Sequence, residues 1–384
     1  MRHVALWSEK DLDSNRTGWI DIARGIGIWL IAAGHLLRRG HIADYILSGA
    51  VALFFYLAGY VYYWHEDRAQ YWKGRVLRLV VPYLAVGSVS IILYEFLGAY
   101  AAHVLGTAAP PGFAADFRHL LFANGKLGCM KWNESLWFLP CLFSMTVLAE
   151  FIEYMVRTST TGIIKAAEVR IVYVVLFGGI GYILTQWMKG GMYPWHIETA
   201  LCMLFFFEAG QVRRQIHDSR VRWAQLSGGK FRKPRVDVRV MSGICGIAAS
   251  VILTIYNGSI SVRTDEYPHY LLSFFIMFLF SEGVVQLTIA AEHCAFLENI
   301  GRASMDILLW NKFPVLFVQL AAGPILFHCE RLFLEKDTVP AAVLTALLAL
   351  PCMGLCIAWT KIYKAAAQSI GRRLKKDKAD AENE

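Results

Sequence analysis

Apolar runs close to twenty residues long recur ten times along the chain, near residues 19–37, 43–64, 77–98, 135–155, 171–188, 194–211, 240–256, 270–291, 303–327 and 341–360. A helix of about 20 apolar residues crosses the hydrocarbon of a bilayer. Lipid offers no partner to open backbone N–H and C=O groups, so each run predicts a helix. The pattern predicts an all-α, polytopic integral membrane protein with about ten transmembrane helices. The first run and the ninth, which holds Asp306 and Lys312, are the least apolar. The longest polar stretches, 99–134 and 212–239, are too short for an appended soluble catalytic domain.

Composition agrees with this pattern: 56% of residues are hydrophobic, 14% are aromatic and the mean hydropathy is +0.42. The net charge of +8 is laid out for a bilayer rather than for nucleic acid. With the N-terminus inside and ten alternating helices, 27 of the 38 lysines and arginines fall on the inner side and nine on the outer. That bias is the one that orients membrane proteins, and it places both termini in the cytoplasm. Three parts follow: a cytoplasmic segment 1–18, a transmembrane domain 19–360, and a basic tail 361–384 that anchors topology and can touch anionic lipid. Residues 1–18 are polar and the run after them is too polar for a signal peptide, so it reads as a retained first helix. The eight cysteines form no CxxC and none sits with histidine at zinc spacing, so no metal is expected.

The first run, WIDIARGIGIWLIAAGHLL (19–37), carries Asp21, Arg24 and His35. Ionisable groups at membrane depth each cost on the order of 2.5–3.5 kcal/mol on insertion scales and mark function by default. Arg24 and His35 are eleven residues apart, about three helical turns, so they share a face roughly 16 Å apart. Asp21 lies three before Arg24 and can pair with it. They make two stations on one polar stripe, along which a ligand could reach from the inner face toward the outer half. The plainer alternative is a buried structural Asp–Arg pair with an interfacial histidine.

The loop HEDRAQYWKGRVLRLVVPY (65–83) puts Arg75 and Arg78 at the foot of the third span, with Lys73 and Arg68 nearby. Such a cluster can hold phosphates through charge-assisted bonds, or simply anchor topology. Glu134, His196 and Glu198 fall at the outer ends of spans and form a candidate polar mouth.

Seven segments in order resemble the membrane acyltransferase 3 family, and within it the fucose 4-O-acetylase-like branch. They are RTGWIDIARGIGIWLIAAGH (16–35), LFFYLAGYVYY (53–63), GRVLRLVVPY (74–83), SLWFLPCLF (135–143), PWHIETALCMLFFFEAG (194–210), NGSISVRTDEYP (257–268) and IGRASMDILLWNKFP (300–314). The resemblance implies transfer of an acetyl or other short acyl group from acetyl-CoA, as co-substrate, to a hydroxyl of a surface polysaccharide or glycolipid sugar, in the bacterial inner membrane. It implies that His35 is the essential histidine, Arg24 the basic residue of its motif, and Arg75 and Arg78, with Lys73 beside them, the groups facing the acyl donor. Trp310-Asn311-Lys312 stands where many relatives carry a histidine, and Asp306 where an apolar residue is usual, so catalysis is not assigned there.

On this reading His35 is the proton acceptor, acting directly on the acceptor hydroxyl or through an acyl-enzyme. A carboxylate orienting the imidazole would be Glu134 or Glu198, with Asp21 too deep toward the inner side. A different class of function, export or flipping of a glycan or small acid, would use the same stripe as a pathway.

Overall fold

A computed structural model describes residues 18–37, 40–105, 110–159, 163–187, 191–227, 235–318 and 338–381. The helices in order are α1 Gly18–Leu36, α2 His41–Tyr60, α3 Arg68–Arg75, α4 Val81–Leu105, α5 Phe113–Phe122, α6 Phe138–Ser159, α7 Ile163–Tyr182, α8 Ile197–Leu226, α9 Val236–Asn257, α10 Tyr270–Ala291, α11 Ala295–Arg302, α12 Ser304–Trp310, α13 Lys312–Phe317 and α14 Val339–Ala381. One bridge between Ser261 and Glu266 is the only β-type pairing among the described residues.

Among the described residues, seven helical segments are long and apolar enough to cross a membrane: 41–60, 68–98, 134–159, 167–187, 236–257, 270–291 and 339–365. They coincide with seven of the ten expected runs. Helices α1 and α8 are long but more polar. Polar helices are excluded from lipid, and α1 is accordingly central: it packs against α2, α10, α11 and α14, with Asp21 and most of its apolar residues buried. The first half of α8 is buried against α2, α6 and α7.

The expected ninth span, 303–327, is not a single helix over its described part. Helices α12 and α13 meet at Asn311. Pro314 explains the break, because proline has no N–H to return to the Trp310 carbonyl four residues back and its ring crowds that group. Residues 319–327 lie outside the described set. At the far end, α14 runs unbroken past residue 360 to Ala381, so the basic tail begins as an extension of the last helix.

A second proline shapes the region that matters most. Between α3 and α4 the chain passes through a widened π-type turn, Val76–Val80, in which the Val81 N–H reaches back to the Val76 carbonyl. Pro82 lies just beyond and cannot donate to the Arg78 carbonyl. The helix therefore continues in direction but is re-phased around Arg78, a device common at functional sites.

Glycine sets two close approaches. Gly25 of α1 faces the Leu297 carbonyl and Gly301 of α11 faces the Asp21 carbonyl, so a side chain at either position would collide with backbone. Small residues let helices in membranes touch backbone to backbone. Here the contact brings Arg302 at the end of α11 beside Asp21.

Candidate active site

A cavity of about 510 Å³ opens between α1, α2, the α3–α4 turn, the start of α6 and the 258–269 loop, with α11 and α12 at its edge. Its size is that of an ordinary small-molecule site. Arg24, His35, Arg75, Arg78 and Glu134 all line it. Residues separated by more than a hundred positions in sequence thus share one wall, and Arg24 and His35 of the expected stripe are both on it.

One end of the cavity is basic. Arg24, Arg75, Arg78 and Arg302 line it. The Arg75 guanidinium lies 5.0 Å from the centre of the Tyr71 ring, a cation–π contact that holds it at the cavity wall. Asp21 does not line the cavity. It is buried and stands between two guanidiniums, 3.8 Å from Arg24 and 3.3 Å from Arg302. Glu298 holds Arg302 from the other side at 3.1 Å. Asp21 is therefore placed to fix arginines rather than to meet a substrate. Lys73 is exposed and is not part of the cavity wall. Arg68 is likewise committed elsewhere, 2.5 Å from the buried Glu150.

The opposite end is mixed in charge and partly aromatic, lined by His35, Asp44, Glu134, Ser135, Trp137 and Arg263. A short 3-10 turn, Glu134–Trp137, opens the long helix that continues as α6. It sets Glu134, Ser135 and Trp137 on the cavity wall together. The His35 imidazole meets the Ser135 hydroxyl, at 3.2 Å from Nε2. A hydroxyl thus stands where the sequence pattern suggests a carboxylate. The only signal of Ser135 was its place next to Glu134 in NESLWFLP.

His196 and Glu198 are fully buried behind this end rather than at a mouth. They belong to a network that holds the mouth's backbone in place. Lys126 pairs with Glu198 at 2.8 Å and with Asp265. Asn124 Nδ2 donates to Glu198 at 2.9 Å. His196 Nε2 accepts from the Gly125 N–H at 2.7 Å, so a neutral ring carries its proton on Nδ1, facing Thr199 Oγ1 at 3.2 Å. Thr199 in turn donates to Asp265 at 2.9 Å. Arg263 donates to the Gly125 carbonyl at 2.8 Å, which aims its guanidinium along the cavity wall. Both Trp195 and His196 have positive φ, of 60° and 50°. Such backbone persists only where surrounding contacts over-determine it. Here Trp195 Nε1 donates to the Leu121 carbonyl and Ser144 donates to the Trp195 carbonyl, each at 3.1 Å. One ammonium faces two buried carboxylates, and burial pushes the Asp265 carboxyl up to about 6 against the pull of Lys126. The two carboxylates together hold the Lys126 ammonium above its ordinary range despite burial.

Residues 17–360 match the acyltransferase domain that defines the acyltransferase 3 family. The chain belongs to that family. It is a membrane acyltransferase, and the match covers the whole cavity wall, from Arg24 to Leu308. Comparison with the curated proteins and with the solved structures gives no significant match. Among the described residues of the acyltransferase, no cluster of three or more His, Cys, Asp or Glu side chains is arranged to hold a metal ion. Asp306 lies off the cavity and pairs with Lys364 at 3.1 Å.

Proposed function

We propose that this acyltransferase moves an acetyl or other short acyl group from acyl-CoA, bound at the arginine end, to a hydroxyl of a surface polysaccharide or glycolipid sugar at the His35 end. The observation that carries the reading is the polarity of this cavity. Four arginines crowd one end, while His35, two carboxylates, Trp137 and Arg263 stand at the other. A polyanionic donor suits the first end through charge-assisted bonds to phosphate. A hydroxyl-rich acceptor suits the second, where carboxylates accept from hydroxyls and an indole offers a flat face to a sugar ring. Between them the pantetheine arm follows α1 past Arg24, and the roughly 16 Å between the two stations matches an extended linker more than a compact substrate. Imidazole is the natural group to take the hydroxyl proton near neutral pH. Asp21 acts through the arginines it holds, and Glu198 through the mouth it braces.

Release of free CoA by the purified protein, dependent on both acyl-CoA and a glycan acceptor, tests the activity. Replacing both Arg75 and Arg78 with alanine should raise the apparent KM for acyl-CoA at least about tenfold, given roughly 1.5–3 kcal/mol for a charge-assisted bond discounted for exposure. The remaining affinity should fall less steeply with salt than that of the parent. An unchanged KM would reduce the pair to a topology anchor.

The donor side also requires an orientation. On the proposal both termini and the 212–239 segment, which is not the expected loop because α8 runs on to Leu226 and α9 begins at Val236, face the cytoplasm in a bacterial inner membrane, as the charge bias demands. A Ser219→Cys variant should resist membrane-impermeant thiol reagents in intact cells and react after lysis. Labelling before lysis would reverse the orientation and, with it, the side from which the donor enters.

A further inference from the structure

The hydroxyl beside the base is part of the protein. Ser135 Oγ lies 3.2 Å from His35 Nε2, on the cavity wall at the end opposite the arginines. That separation is within the reach expected of a nucleophile and the base that activates it. The serine is the second residue of a continuous helical segment, Glu134–Ser159. The first N–H groups of a helix have no partner within it and carry partial positive charge. A carbonyl carbon attacked by Ser135 would build its negative charge beside that helix end. Ser135 is nearly enclosed, at 5% exposure, and lines the cavity.

Resting on the acyl-transfer reading above, we propose that Ser135 is a covalent way-station, and that the acyl group is held beside His35 as a Ser135 ester between the departure of CoA and the arrival of the acceptor. In the first half-reaction the Ser135 hydroxyl attacks the thioester carbonyl and His35 Nε2 takes its proton. The carbon–sulfur bond breaks, and the proton passes from His35 to the departing thiolate, releasing CoA as the free thiol. In the second half-reaction an acceptor hydroxyl attacks the ester carbonyl while His35 takes that proton. The Ser135 oxygen leaves and recovers a proton from His35. Atoms and charge balance in each half, and no other reactant is needed.

Two stages solve a problem of geometry. The acyl-bearing end of the donor and the acceptor hydroxyl both have to reach the His35 end, so an ester fixed at Ser135 there lets CoA leave before the acceptor enters and spares two large substrates from sharing that end. It also makes the two substrates independent, which gives ping-pong kinetics.

The test uses the whole purified protein and acetyl-CoA carrying an isotopic acetyl label, quenched at early times without acceptor. Label should remain on the denatured chain and approach one acetyl per chain. It should map to the peptide containing Ser135 and come off in alkaline hydroxylamine. Ser135→Ala should lose the label and about 10²-fold or more of turnover, as removal of a nucleophile does, while still binding acyl-CoA. Ser135→Cys guards against misfolding. It should take up the same label as a thioester, removable by hydroxylamine at neutral pH. A protein that releases CoA with acceptor yet never carries label, or a Ser135→Ala protein that turns over within about threefold of the parent, overturns the way-station and leaves direct transfer by His35. Failure of the parent to release CoA with any acceptor overturns the acyl-transfer reading instead, so the two failures are separable.

Discussion

His35→Gln should yield a protein that inserts, folds and binds acyl-CoA but scarcely transfers. General-base assistance is typically worth about 10²–10⁴-fold, and glutamine keeps a hydrogen bond to Ser135 without being able to accept its proton. His35→Ala should be no worse in turnover than His35→Gln by more than a few-fold. That order matters, because a structural histidine predicts the opposite: glutamine tolerated and alanine poorly folded. The position supports the catalytic role. His35 lines the cavity, and the partner the structure gives it is a hydroxyl, not a structural carbonyl. The measurement is initial rate at saturating acyl-CoA on protein matched for monodispersity, with donor affinity determined separately. Near-normal turnover in a well-folded His35→Gln protein would remove the base from the mechanism.

The second large effect is one of stability, at a residue that touches no substrate. Lys126→Met should destabilise the protein by about 3–5 kcal/mol, the usual consequence of leaving buried charges without their partner. Glu198 is fully buried and Asp265 is 4% exposed. Methionine fills the space of the lysine stem and supplies no charge. Thermal unfolding in detergent at pH 7.5 should show the loss directly. The sign of the pH dependence follows from Asp265, whose carboxyl already stands at about 6 in the intact network. Without Lys126 its affinity for a proton rises further. The folded variant then takes up a proton that the unfolded chain does not bind until near pH 4, so its deficit should shrink as pH falls from 7.5 to 5. A deficit that is small at pH 7.5, or that grows on acidification, would mean that the network is not what fastens the 258–269 loop. Because that loop carries Arg263 to the cavity, the variant should also lose acceptor affinity before it loses donor affinity.

Most of the frame is written in local pattern. Alternation of apolar runs with charged loops is enough to give an all-helical membrane protein, since lipid leaves no other way to satisfy a backbone. Arg24 and His35 were legible as one stripe because helical period is a local property. Arg75 and Arg78 were legible as a cluster because they are close in the chain. Each of these depends on residues within a few turns of one another.

What lay outside that range was decided by tertiary structure. Nothing local distinguishes Glu134, on the cavity wall, from Glu198, buried behind it, since both sit at the start of a helix. Their fates depend on which distant side chain arrives: Lys126 and Asn124 for Glu198, an open cavity for Glu134. Asp21 reads as the mate of Arg24 by spacing alone. Its second partner, Arg302, comes from a helix 281 residues away, brought near because Gly25 and Gly301 let two backbones touch. Ser135 is one hydroxyl among many until packing sets it 3.2 Å from an imidazole 100 residues earlier. Helical period carries information over a few turns, whereas a site at a junction of five segments is written in contacts that no short window contains.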